Sequence, residues 1–480
     1  MVACPSINTI CRPIRSSMLL TIAAVLSFGI ACQAIETSKY VGQGREHLLA
    51  GEYDQAIEDF DAAIELDPES SDARMGRGGA YVAKGEHDRA FEDLDEAIRL
   101  DPDVAEAYVL RGIAYTAIGE YDRAIEDLDA AIRLDSESFL AHLGRGIAYG
   151  EKGEPHRAIE NYDVGIGLNP EYAPAYYSRG AAHADLGEHE WAIADYTVAI
   201  RFDPEYADAY YNRGVAYDEL GEHEWAIEDY DAAIRIDPEY ADAYFNRGVA
   251  YGDLGEYDLA IQDFEMSLRL NPGDADAYHN RGFAYKNKGE LDRAIKDFDE
   301  ALRLNPNDAD TYTERGKAYR SMKEFDRALG DFDAAVRLNP ESPEAYLLRG
   351  IAHHDLSEYG LALSDLNTAI RLNPEYAEAH GTRGVVYIAR REYDLAIVDL
   401  DEATQLDPEL VEAYSMRGIA HMLQGDHVLA IADFDEVLRL DAEDALAYCA
   451  RSSVHQTLGN EEASARDREK SVALGYDCEP

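Results

Sequence analysis

Fourteen histidines and a recurring Asp-x-Asp pair are the residues of this chain best suited to chemistry. Imidazole can move a proton near neutral pH or hold a transition metal, and paired carboxylates can hold calcium. The pairs include Asp59 with Asp61, Asp127 with Asp129, Asp229 with Asp231, and Asp297 with Asp299. Residues two apart on a helix point about 200° apart, so no such pair closes on one cation. The calcium-binding loop with its central glycine is absent. So are the helical zinc motif, the glycine-rich phosphate loop and the nucleophile elbow. The five cysteines contain no Cys-x-x-Cys spacing of a zinc site. No catalytic residue, cofactor or metal is expected.

The elements that position these residues follow one rule. In steps of 34 residues, glycine recurs from Gly44 and Gly78 through Gly214 to Gly418, and alanine keeps the same step from Ala56 through Ala226 to Ala430. Such a period marks a solenoid, in which each repeat completes its core only against its neighbours. With each repeat starting at position 1, the glycine is position 8 and the alanine position 20. Residues 37–444 hold twelve repeats, and a degenerate thirteenth over 445–480 caps the array. In repeat six, Ala209, Tyr210, Gly214, Ala216, Tyr217 and Leu220 follow a period near 3.6, Gly221 ends the run, and a second run extends from Ala226 to Ile236 before Asp237-Pro238. That pattern predicts two antiparallel helices and a short turn. Gly214 and Ala226 leave room for the helices to cross.

In this register the histidines stop looking like a site. His47, His183, His353, His421 and His455 take position 11, and His142 and His380 take position 4, where other repeats carry tyrosine. They are read as packing substitutes. His87, His189, His223 and His427 fall at position 17 and His156 at 18, in the turn. The paired aspartates are read as exposed acids, one of them beside an arginine that holds position 7 from Arg77 to Arg451.

Seven positions carry a family resemblance. They are the glycine at position 8, tyrosine at 11 (Tyr217, Tyr251, Tyr285), glycine at 15, alanine at 20, an aromatic at 24, alanine at 27 and proline at 32 (Pro204, Pro238, Pro272). Over about residues 37–478 this set resembles the tetratricopeptide repeat. Arginine at position 7 resembles an Arg-Gly subclass of bacterial repeats. The resemblance implies an all-α, right-handed solenoid superhelix whose first helices line a concave groove through positions 2, 5, 9, 12 and 13. In repeats five to seven these positions supply Tyr177, Tyr211, Phe245, Asp218 and Asp253. Asn212, Asn246 and Asn280, just before the arginine, match asparagines that in the family hold a peptide backbone or carboxylate. The lysines that complete a carboxylate clamp are missing there, so a basic or aromatic extended segment is the expected partner. Repeats eight and nine differ, with Lys286, Lys317 and Arg320 on the groove beside His279, in a stretch (275–342) of 12 basic and 14 acidic side chains. This patch either seats an acidic group or moderates self-repulsion.

Lys plus Arg number 44 against 96 Asp plus Glu, a formal charge of -52, which argues against nucleic acid and for basic partners. Gly165 and Gly167 interrupt the second helix of repeat four, which predicts a joint between 37–170 and 171–480. Residues 1–36 read as a secretory leader, with Arg12 and Arg15 before the apolar run Met18–Ile30. Cleavage could fall before Cys32, making a lipid-anchored protein, or after Ala34. Cys449 and Cys478, both in the last repeat, are read as free thiols, with a disulfide clipping the C-terminal cap as the alternative in an oxidising compartment. Together these features predict a non-catalytic scaffold for protein partners at a bacterial envelope, with possible membrane attachment through the leader. The alternatives are a positioning subunit for an envelope or glycan-processing enzyme and a cytoplasmic adaptor.

Overall fold

A computed structural model describes residues 38–478. The leader residues, including Arg12, Arg15 and Cys32, lie outside that range. The described residues form twenty-six α-helices, two per repeat, with no strand. None of these helices is long and apolar enough to cross a membrane. The chain divides after Leu270 into two compact bodies, one carrying repeats one to seven and the other repeats eight to thirteen.

Repeat six shows how the sequence makes the pair. Its first helix is Ala207–Glu219 and its second His223–Ile236. Gly221 between them has φ 75°, the left-handed conformation that costs glycine little. That turn lets Glu222 N–H reach the Tyr217 carbonyl and Gly221 N–H the Asp218 carbonyl, both at 2.9 Å, which satisfies the helix end. The second helix stops at Asp237, whose carboxylate accepts the Glu239 N–H at 2.9 Å and shapes the turn through Pro238. Where the helices cross, a Cβ on Gly214 would lie 2.8 Å from Tyr230 and 3.2 Å from the Ala226 carbonyl. Ala226 and Tyr230 are buried there. In this repeat position 8 therefore has no room for a side chain.

Three turns lack this glycine. Lys323, Ser357 and Arg391 occupy position 15 with φ of 61°, 61° and 64°. These are side-chain-bearing residues held in left-handed backbone.

Two expectations fail here. The second helix of repeat four runs unbroken from Pro155 to Leu168. One core cluster continues through Ala158 and Tyr162 to Ala175 and Ala182, straight across residue 170. Gly165 is itself buried under the Phe139 ring, 3.7 Å from its missing Cβ, so packing replaces what propensity loses. The boundary lies at Leu270 instead. Cys449 and Cys478 are not free thiols: they are joined as a disulfide across the last repeat, with Cα atoms 5.6 Å apart.

Candidate functional site

The position-7 arginine is the most regular polar feature. Arg213 donates through Nε and Nη2 to both oxygens of Asp229, each at 2.7 Å. Asp229 is only 5% exposed and lies sixteen residues later in the same repeat. Burial works against the Arg213 charge, but the Asp229 pairing outweighs it and raises the guanidinium pKa above its ordinary value. The third nitrogen reaches back to the second helix of the preceding repeat. Arg111 takes Asp95 at 2.5 Å, Arg315 takes Asp299 at 2.5 Å, and Arg349 takes Asp333 at 2.9 Å. In repeat six the backward partner is Thr197, at 2.9 Å. The two aspartates of the pairs at 127/129, 229/231 and 297/299 thus serve different arginines, whereas in repeat one, which has Gln43 at position 7, Asp59 contacts His47 Nδ1 at 2.7 Å. The reading of both as exposed is corrected, since the first of each pair is buried in repeats such as the sixth and eighth, at Asp229 and Asp297.

The histidines follow their tyrosine neighbours. Tyr176 donates its hydroxyl to the Pro170 carbonyl at 3.0 Å. His142 and His380, at the same position, contact the Ser136 and Pro374 carbonyls through Nε2 at 3.2 and 3.1 Å. Among the described residues no group of three His, Cys, Asp or Glu side chains is placed to hold a metal.

The predicted groove residues of repeats five to seven are largely consumed by the fold. Tyr177 and Tyr211 are 7% and 5% exposed and Asn212 is 8% exposed. Asn212 donates to the Tyr177 hydroxyl at 2.7 Å, and Asn246 to the Tyr211 hydroxyl at 2.9 Å. Tyr206 and Tyr240, just ahead of the next first helices, pack on the same two rings at 4.9 Å between centroids. These side chains are engaged with neighbouring repeats. Phe245 packs on Phe264, 5.8 Å between centroids. Asp218 accepts from Tyr230 at 2.7 Å and lies 3.0 Å from His223 Nδ1, and burial pushes its pKa up to about 6. Asp253 alone of this set is exposed.

Repeats eight and nine are equally self-engaged. His279 Nδ1 lies 2.6 Å from the buried Thr311 hydroxyl, and Asn280 donates back to the Asp276 carbonyl at 2.8 Å. Lys286 pairs with Glu314 and lies 4.6 Å from the Phe283 ring centre. Lys317 bridges Glu314 at 3.0 Å and Glu344 at 2.9 Å, and Arg320 donates to Asp355 at 2.6 Å. Internal acids thus neutralise these cations.

Further along, the first-helix face opens into a hollow of about 720 Å³. Leu347, Ile351, Val385, Leu400, Leu410 and Met416 line it, together with Glu378, Glu412 and the Arg320–Asp355 pair. Gly381 is part of its lining. Position 5 holds Tyr177, Tyr211, Phe245, His279 and Leu347 in other repeats, but in repeat eleven it is Gly381. A Cβ there would meet nothing nearer than Ala403 and Leu410, both at 3.9 Å. Glu378 and Glu412 are exposed, while Asp355 is balanced by Arg320. The hollow is apolar inside and acidic outside.

Comparison with known proteins decides the family. Models described as tetratricopeptide repeat match residues 41–105, 313–377, 241–274 and 275–308, and one described as TPR repeat matches 112–153, 183–221, 216–255 and 384–425. The chain belongs to the tetratricopeptide repeat family. Comparison with curated proteins finds no match. Among solved structures it is similar to MamA, at 34% identity over 34% of this chain and 94% of that one, with a TM-score of 0.33. It is also similar to YrrB, described as a TPR protein with an unusual peptide-binding site, at 28% identity over 38% of this chain and 95% of that one, TM-score 0.33. Yeast Tom70 matches at 17% identity over 90% of this chain and 98% of that one, TM-score 0.38. All three TM-scores are below 0.5, so the assignment rests on the repeat models and the helix pairing.

Within this tetratricopeptide array the hollow draws on several of the positions named from the sequence, in other repeats. The hollow uses position 5 at Leu347 and Gly381, position 9 at Ile351 and Val385, and position 2 at Glu378 and Glu412. Sequence reasoning weighed the side chains present at position 5 and passed over the one that is missing. Its signal was available: Gly381 is the only glycine at position 5 in thirteen repeats.

Proposed function

We propose that this tetratricopeptide array is a non-catalytic scaffold that captures an extended segment of a partner protein at the Gly381 hollow. A bulky apolar side chain of the partner fills the space that position 5 leaves empty. A lysine or arginine next to it meets Glu378 and Glu412, and the acidic chain steers it in. The single observation that carries this reading is an apolar hollow with an acidic margin on the face that the family uses for binding. Selection from a random-peptide display library tests it. The expected enrichment is a large apolar residue flanked by basic ones, lost when the bait is Gly381→Phe. Enrichment of acidic peptides, or of the same peptides by both baits, refutes it.

We also propose that this scaffold is exported to an oxidising compartment. The leader pattern before Ala34 supports export, and the Cys449–Cys478 pair suits a non-reducing environment. Mass spectrometry of protein from its native host is expected to show a processed N-terminus and a linked Cys449–Cys478 peptide. An intact N-terminus with both thiols free would place it in the cytoplasm.

A further inference from the structure

A second surface is set by position 19, where arginine in some repeats gives way to exposed apolar residues in others, Leu361, Leu395 and Leu429 among them. At position 19, near the start of the second helix, repeats two to four carry Arg89, Arg123 and Arg157. Each lies over the position-11 tyrosine of its own repeat, at 5.6, 5.7 and 4.0 Å from the ring centre. Each also pairs with the position-16 glutamate, Arg89 with Glu86 at 2.7 Å, Arg123 with Glu120 at 4.0 Å and Arg157 with Glu154 at 2.8 Å. The arginine therefore covers an aromatic ring and cancels an acid. In repeats five, six and seven the same position holds Trp191, Trp225 and Leu259, which are 66%, 55% and 40% exposed. Trp191 stacks on His183 and Trp225 leans on Tyr217, with centroids 6.1 and 6.3 Å apart, so the ring-covering role is kept. The charge-cancelling role is not. Glu222 and Glu256 remain at position 16 without an arginine at 19, and Glu224 stands exposed beside Trp225.

We propose that the register line Trp191–Trp225–Leu259 is a docking surface for a basic amphipathic helix of a partner protein. Exposed indole is costly to leave in water and frequent at binding hot spots. The charge selects the occupant. A second copy would bring the same acids against Glu222, Glu224 and Glu256, and an anionic lipid surface would be repelled, whereas a helix with lysines beside its apolar stripe satisfies both parts of the surface. Three successive repeats supply the apolar contacts, and the glutamates between them supply the counter-charges.

The chain has two tryptophans, both on this surface, so its intrinsic tryptophan emission reports on this surface alone. The probe is a synthetic amphipathic helix of leucine and lysine carrying a dye, with a leucine–glutamate helix as the control. The expected result is a blue shift of tryptophan emission with the lysine helix and none with the control. Dye anisotropy is expected to show affinity reduced about tenfold or more in the double variant Trp191→Arg/Trp225→Arg, a loss typical of a hot-spot residue. That variant restores the residue that neighbouring repeats already use, and an unchanged circular-dichroism melt checks its fold. Gly381→Phe is expected to leave the emission shift intact, which separates this surface from the hollow. Binding of the lysine helix without an emission shift, or with equal affinity for the arginine variant, overturns the proposal. So does a blue shift that appears on raising protein concentration alone, since a second copy would then be the occupant.

Discussion

At the residue scale the chain is held by charges that it cannot leave unpaired. Removing Arg213 strands Asp229 in the core, and breaking a buried pair from one side costs about 3–5 kcal/mol. Arg213→Leu keeps apolar volume in the site and is expected to be better tolerated than Arg213→Ala. Adding Asp229→Asn to the leucine variant is expected to recover part of the loss. Melting midpoints together with hydrogen exchange over 223–236 check both, and an alanine variant no worse than leucine would contradict them. Repeat four already carries the milder version, with Arg145 donating to Asn161 at 2.7 Å where other repeats have aspartate. Asp218 gives the opposite case, a carboxylate whose burial is only partly compensated. Its folded pKa of about 6 lies above the ordinary 3.8. Between those values the folded chain holds a proton that the unfolded chain lacks, so this contribution to stability falls as pH rises through the window and is flat above it. Asp218→Asn is therefore expected to raise the melting temperature at neutral pH and to change it little below pH about 4. An equal gain at both pH values would show that desolvation of the charge is not the cause.

At the element scale, two glycines on one helix make opposite demands. Gly384 has no room, since a Cβ would lie 2.7 Å from Leu400 Cγ, whereas a Cβ on Gly381 three residues earlier would make only ordinary contacts, at 3.9 Å. Gly384→Ala is expected to destabilise by about 1–3 kcal/mol. Gly381→Ala is expected to stabilise by about 0.5–1 kcal/mol, because alanine is the better helix former. Denaturation midpoints of the two variants decide the matter, and the same sign for both would refute the packing account. The strained turns give a parallel test: Lys323→Gly, Ser357→Gly and Arg391→Gly are each expected to gain about 1 kcal/mol by thermal melt. Helices and turns were legible in the sequence because the glycine–alanine spacing and the proline stops at position 32 report local backbone needs. The position-23 aspartate was legible only in part, as a partner for arginine but not as a buried one. The tyrosine–asparagine contacts were not legible, because they join residues 35 apart whose chemistry also suits a ligand. The hollow was missed because its lining includes a position without a side chain, and reading residue types favours those that are present.

On the scale of the whole molecule, regular packing leaves little surface free to be specific. The repeat commits its tyrosines, most histidines and the position-7 arginine to its own packing, and Lys286, Lys317 and Arg320 to neighbouring acids. What remains is an acidic chain of formal charge -52 with a hollow where one repeat lacks its position-5 side chain. Association with a basic segment is therefore expected to slow as salt rises and the field is screened, which stopped-flow rates across a salt series would show. Rates independent of salt would remove steering from the account. The most direct test of the central claim is calorimetric affinity of a display-selected apolar–basic peptide for the wild-type chain, Gly381→Ala and Gly381→Phe. Filling the hollow with phenylalanine is predicted to weaken binding about tenfold or more, while alanine, which still leaves most of the space, changes it little. Equal affinity for all three proteins would contradict capture at Gly381.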